Sequence, residues 1–382
     1  MSPQDSANGN GAAGLPLFTP RRAAQTTLLV VVLLVAIYFL FPKLVGLGDS
    51  LSKLSDADLV WVVVGIGFNV VAIATYIALF KAVVGGNVLR LTWGETYEIN
   101  MAGVAATLLF SAGGAGGIAL TYWALRKAGM ERRDVGRRMI AFLSLHYVFY
   151  PIALIVFGVL LRTGVLPGKH SVELTIVPAA VAGFMLLGGA LVALIPPDVG
   201  QRVGRHFHGE RTHAIVDSIA KVPATVGEGL RFALRLFVHP RQGGLAVIGA
   251  AGFWAANIGI LWASFRAFGI QVPIAVVVQG FFLGMVANLF PLAPAGVGAV
   301  DAGMIGAFVL FGIPEETVFP AILIYRLVAF WLPIPPGIIA FFQLRATVQR
   351  WEEVGLPIDR HAAPTALEPA TAGAERRVER EA

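Results

Sequence analysis

Two ionisable residues stand where almost nothing around them carries charge. Asp301 lies in NLFPLAPAGVGAVDAG (Asn288–Gly303), and Arg326 lies in AILIYRLVAFWLP, each among apolar neighbours. A guanidinium offers a planar fork that fits phosphate or carboxylate. Two kinds of chemistry follow. In one, Asp301 and Arg326 form a structural pair that locks two segments together. In the other, Arg326 contacts a lipid phosphate while Asp301 orients it or meets a cationic headgroup. Tyr325 beside Arg326, and Asn288 where the broken stretch begins, are polar groups that would line the same place.

The remaining candidates are weaker. His146, in FLSLHYVFYP, sits near Tyr147 and Tyr150. It could join a polar stripe along a cavity, although a hydrogen-bonded packing histidine is the more ordinary role. Glu95 and Glu98 open an apolar segment, where acids suit a helix N-terminus. Arg266, late in an apolar run, should snorkel to the interface. His206, His208 and His213 have no cysteine and no acid at ligand spacing, so no metal is expected. No Walker loop, dinucleotide fingerprint or nucleophile elbow occurs. No cofactor and no catalytic residue are therefore assigned, and an ATP-driven pump is not expected.

The elements that must position these residues are those of a membrane. The chain has 382 residues, 57% apolar and only 14% charged, with a mean hydropathy of +0.75. Soluble domains carry about 25% charged residues. The net charge of +6 fits basic loops facing anionic lipid better than nucleic acid. Cysteine is absent, which excludes disulfides and thiol chemistry.

The reading is an all-α, polytopic integral membrane protein. Six full transmembrane helices are expected at Ala23–Phe41, Leu59–Phe80, Met139–Leu161, Val172–Ile195, Leu245–Phe268 and Thr317–Leu344, the last kinked at Pro333–Pro336. The first follows Arg21-Arg22 but lacks a small-residue cleavage site, so it reads as an uncleaved helix. Residues 1–22 and 351–382 are expected to be disordered, flanking a transmembrane domain over 23–350. The loop 196–242 is long and basic. Within it Leu230, Ala233, Leu234 and Phe237 share one helical face, which suits either the membrane interface or a helix packed on the bundle.

Two further segments are interrupted, Thr92–Gly129 at SAGGAGG and Pro273–Phe311 at PLAPAG. Shifted by 180 residues, Leu109-Phe110 meets Leu289-Phe290 and Ala115-Gly116 meets Ala295-Gly296. If each is a re-entrant hairpin, one face of the membrane carries 19 Lys and Arg between Arg21 and Arg350. The other carries four: Lys43, Lys53, Arg162 and Lys169. That asymmetry makes the first face, with both termini, cytoplasmic. The hairpins then enter from opposite faces as a weak inverted repeat. Irregular backbone survives in hydrocarbon only inside protein or along a polar cavity, and paired breaks in two halves point to a transport site near the midplane. Gly113, Gly116, Gly296 and Gly298 are the turn glycines of that expected site.

The run PLAPAGVGAVDAGMIGAFVLFGIPEETVFPAILIYRLVAFWLP resembles the C-terminal signature of the lysylphosphatidylglycerol synthase transmembrane-region family. LLFSAGGAGG with TYWALRKAGM is similar to that family's earlier turn and helix, and the resemblance spans residues 25–350. Asp301 stands where Glu is usual, and the first turn lacks the common proline and a following charged residue. The resemblance implies a flippase-like protein of the inner membrane that binds and translocates an anionic phospholipid or lipid-linked substrate. No aminoacyl transferase domain is expected in the tail after Arg350. The alternative is an enzyme or accessory factor in a polyprenyl-phosphate-linked glycan pathway. Homo-oligomerisation is left open.

Overall fold

Hydrocarbon offers no water to an unpaired backbone N–H or C=O, so a chain this apolar must close its backbone bonds within itself. The computed structural model describes residues 56–85, 90–109, 115–169, 171–194, 225–286 and 298–353, and these form helices and turns with no strand. In chain order the helices are α1 (Leu59–Val84), α2 (Trp93–Leu109), α3 (Ala115–Lys127), α4 (Arg132–Arg162) and α5 (Val172–Ala193). A helix over 225–238, α6, precedes α7 (Pro240–Ala267). Then come α8 (Ile274–Met285), α9 (Ala299–Leu310), α10 (Glu315–Arg326), a π-helical turn (Leu327–Trp331) and α11 (Ile334–Glu353).

Five stretches are long and apolar enough to cross a membrane: α1, α4, α5, α7 and the run from Glu315 to Glu353. These are five of the six expected spans. Ala23–Phe41, residues 1–22, the tail beyond 353 and the histidines at 206, 208 and 213 lie outside the described residues. The outer faces of the described spans are apolar and bare, as on α5, where Phe184, Met185, Leu187 and Leu191 are exposed. In water such a face would be a liability. In lipid it is simply the surface.

The last span is interrupted at its prolines and also just before them. Pro333, Pro335 and Pro336 lack the N–H groups that an α-helix would aim at the carbonyls of residues 329, 331 and 332. The chain therefore widens before the prolines rather than at them, and Leu332 N–H bonds Leu327 C=O at 3.0 Å. Helix α11 also runs to Glu353, past residue 350. Trp351 is buried there and donates to Glu95 of α2 at 3.2 Å.

Both interrupted segments fold as hairpins of short helices, α2 with α3 and α8 with α9. Twelve residues, the length of α8 and of α9, rise only about 18 Å, well short of a hydrocarbon core of about 30 Å. The turns over 110–114 and 287–297 lie outside the described residues. The arms touch at glycines. A Cβ on Gly117 would collide with Thr107 Oγ1 and the Gly103 carbonyl. One on Gly284 would lie 2.6 Å from Met304 Cα and 2.7 Å from its N. Gly117, next to Gly116, thus marks a tight approach of the first hairpin's arms.

The hairpins sit at opposite ends of one helix pair. α1 and α7 run antiparallel, with Gly249 and Gly252 against Thr75 and Gly259 against Phe68, a small-residue contact that lets backbones approach closely. One apolar core joins α2, α3 and α11 to the C-terminal end of α1 and the N-terminal part of α7. The other joins α8, α9 and α10 to the opposite end of that pair, from Ile260 to Ala267 on α7 and Trp61 to Phe68 on α1.

Polar side chains close the helix ends. Thr92 and Glu95 form a capping box at the start of α2: Thr92 N–H donates to Glu95 Oε2 at 2.7 Å, and Glu95 N–H donates to Thr92 Oγ1 at 3.2 Å. Buried Arg138 donates to the carbonyls of Val83, Val84 and Gly85 at 2.6, 3.2 and 3.2 Å, capping α1. Of the two readings for the basic loop's helix, packing on the bundle holds for α6. Gly229 sits against Ile140, Glu228 pairs with Arg133 at 2.5 Å, and Ala233 and Leu236 are buried. Leu234 and Val238 remain exposed.

The glycine contacts predict a sharp contrast. Gly117→Ala and Gly284→Ala should each destabilise the protein by about 1–3 kcal/mol, because backbone must move to admit the methyl group. Gly188→Ala on α5, where a Cβ meets nothing within 4 Å, should be neutral or stabilising. Thermal unfolding in detergent reads all three, and equal midpoints would remove close packing as the reason for these glycines.

Candidate functional site

Asp301 and Arg326 are brought together. Asp301 occupies the first turn of α9 and Arg326 the last turn of α10, and Arg326 Nε donates to Asp301 Oδ1. The side chains are 10% and 21% exposed for Arg326 and Asp301 respectively. The local sequence explains the acid's position. Gly298 adopts φ +83°, a conformation side chains resist, and turns the chain into α9. Its N–H then donates to Asp301 Oδ2 at 3.0 Å. Both carboxylate oxygens therefore accept protein donors, and the charge sits at the positive end of a helix.

The cation is held equally firmly. Phe330 of the π turn lies 5.4 Å from the Arg326 guanidinium carbon, a cation–π distance. Tyr325 is buried, its ring 5.9 Å from that of Phe281 on α8. On the same helix Gln279 is wholly buried and donates to the Leu174 carbonyl of α5 at 3.0 Å. Its Oε1 has no partner among the described residues. Tyr150 of α4 donates to the Phe282 carbonyl at 2.6 Å, fixing α8 against the bundle. The arrangement is a part-buried ion pair beside an apolar core, placed where a broken hairpin meets the last long segment.

Most of the other expected site residues fall elsewhere. Gly298 is at the pair. Gly116 lies half-buried in the first turn of α3, in the other hairpin. His146 is buried in the middle of α4 within a shell of rings, Tyr76, Phe253 and Trp254 among them, at 4.8–5.2 Å. Asn288, Gly296 and Gly113 lie outside the described residues. Arg266 stacks over Trp61 and Trp262 at 5.8 and 5.5 Å, beside Asp56, Asp58 and Glu316. No cluster of His, Asp and Glu that could hold a metal occurs among the described residues.

Sequence reading missed Gln279, Asn69 and Asn257, which are all buried. Each is a lone amide in an otherwise apolar run. That was the available signal, since a buried amide needs hydrogen-bond partners.

The profile of the family described as "Lysylphosphatidylglycerol synthase TM region" matches residues 27–337. Two proteins of Methanothermobacter thermautotrophicus (strain Delta H), each described as a UPF0104 membrane protein, are similar over shorter stretches. One is 31% identical over 87 residues, covering 23% of this chain and 26% of the relative. The other is 29% identical over 86 residues, covering 22% and 26%. The matched stretch spans about a quarter of the length of these curated relatives. The profile runs through α1, both hairpins, the Asp301–Arg326 pair and the π turn, and the chain belongs to the lysylphosphatidylglycerol synthase transmembrane-region family.

Proposed function

We propose that this integral membrane protein binds the phosphate of an anionic lipid at Arg326 and carries the headgroup between the two leaflets. The observation behind this reading is the ion pair itself. Ionisable groups inside a membrane are costly and mark substrate paths, and this one lies where a broken helix resumes, the usual place for a transporter's site. Asp301 has both oxygens engaged within the protein, so its role is to orient the guanidinium rather than to receive a cationic headgroup. In this reading the two hairpins, packed at opposite ends of the α1–α7 pair, serve one leaflet each. In this reading the membrane is the inner membrane, with the basic face and both termini cytoplasmic.

Transfer tests the function. In reconstituted vesicles the wild-type protein should speed the loss of the inner leaflet's protection, so that all the fluorescent phosphatidylglycerol becomes reducible by external dithionite. Arg326→Lys keeps the charge but loses the fork, and should cut that acceleration by about tenfold, the equivalent of one charge-assisted hydrogen bond. Identical rates for empty vesicles and wild-type protein would end the reading.

Orientation is tested separately. The chain has no cysteine, so single cysteines at exposed Val165 and Arg132 are unique labels at the two ends of α4. Val165→Cys should react with an impermeant maleimide on intact cells, and Arg132→Cys only after permeabilisation. The reverse pattern would invert the proposed topology.

A further inference from the structure

The face of α4 turned away from His146 and Tyr150 carries a recess of its own. It is a groove of about 360 Å³ between α4, α5 and α6. Tyr147, Met185, Leu234 and Phe237 line it and are exposed, so it opens sideways, away from the bundle. Small residues on α5 make room for it: Gly189, Ala190 and Ala193 stand where larger side chains would fill the space. A Cβ on Gly189 meets nothing within 4 Å.

An apolar recess stays dry, so water is not its occupant. Around a chain that spans a membrane, the apolar matter at hand is lipid. At about 30 Å³ for a water-sized group, the groove takes roughly a dozen such groups, most of one acyl chain. Its α5 wall runs from Met185 to Ala193, a rise of about 12 Å along the helix. That is an elongated slot.

Charge marks one end of it. Ala193, the last residue of α5, lines the groove, and its carbonyl accepts from Arg231 of α6 at 3.0 Å. Arg235 follows four residues later, on the same side of α6, and is exposed. No Asp or Glu lines the groove, and Glu228, the acid of α6, pairs with Arg133. A protein helix pressed into the slot would leave both arginines facing apolar residues. A phospholipid brings an apolar chain to the slot and an anion to its basic end.

We infer that this groove is a resident-lipid site, in which one acyl chain of an anionic phospholipid lies between α4, α5 and α6 with its phosphate at Arg231 and Arg235. The lipid joins α5 to α6 where protein atoms leave a gap. None of the lining residues belongs to α8, α9, α10 or the π turn, so the site stands without the transport reading.

Photo-crosslinking of the full chain in phosphatidylcholine vesicles tests it. Phosphatidylglycerol and phosphatidylcholine, each with a diazirine in one acyl chain, are compared at equal dilution, and adducts are mapped by peptide mass spectrometry. Adducts at Met185, Leu234 and Phe237 should favour phosphatidylglycerol by about tenfold. Phe184, exposed on the other side of α5, should show no preference. Arg235→Gln should lower the groove's preference about fivefold, the weight of one surface arginine toward anionic lipid. Gly189→Leu should plug the groove and reduce its adducts to the Phe184 level, and Ala190→Leu is a second plug should the first fail to fold. Arg326→Lys should change none of these yields. Equal yields from the two lipids at the groove, or adducts that persist in both plugged variants, would overturn the inference. Groove positions without adducts would overturn it in favour of a protein cover, a further segment of this chain or a second copy. A preference lost in Arg326→Lys would trace the lipid to the transport path and overturn it as well.

Discussion

A carboxylate and a guanidinium taken out of water need each other, because neither alone can recover its lost hydration. The Asp301–Arg326 contact meets that need, and much of the second half of the protein is arranged to let it form. Gly298 must turn with positive φ so that α9 starts with Asp301 in its first turn. Helix α10 must end at Arg326 in a core apolar enough to make the pair matter. The π turn that follows brings Phe330 beneath the guanidinium. The same turn carries Ala329 to the wall of a central cavity.

Around that centre the fold solves two problems with one helix pair. The long α1 and α7 satisfy their own backbones and, through Gly249, Gly252 and Gly259, approach closely enough to act as a single post. Each end of the post then carries one hairpin of short helices. Burying short helices against protein removes their ends from lipid, which would otherwise leave terminal N–H and C=O groups unmet. Arg138 and the Thr92–Glu95 box show how strictly those ends are closed at one end of the post. The interior between the hairpins is left as the place where polar groups such as Asn69 and Asn257 collect.

Hydropathy made the described spans and both interruptions legible, because a bilayer demands long apolar runs and punishes breaks. Asp301 and Arg326 were legible for the complementary reason: a charge in such a run is conspicuous. Finer geometry was not. Proline acts on carbonyls upstream of itself, so the widening falls at Leu327–Trp331 although the visible signal was Pro333–Pro336. Which glycine of the first break is pressed depends on what faces it. Gly117 meets Thr107 and Gly103 across the hairpin, and no pattern within one strand of sequence announces that. His146 was singled out with both its roles in view, but the amides beside it were overlooked, since Asn69 and Asn257 come from distant segments that only the fold unites.

The central claim is that Asp301 holds Arg326 in place for an anionic lipid. Thermal unfolding of a double-mutant cycle in detergent, with and without phosphatidylglycerol, addresses it most directly. Without lipid, Asp301→Asn and Arg326→Gln should each cost about 3–5 kcal/mol by stranding a buried charge or its partner, and the double variant should recover much of that loss. With lipid, the wild-type midpoint should rise clearly and that of Arg326→Gln hardly at all. Equal lipid stabilisation of wild type and Arg326→Gln would contradict the account, leaving the pair as a structural lock with no part in binding.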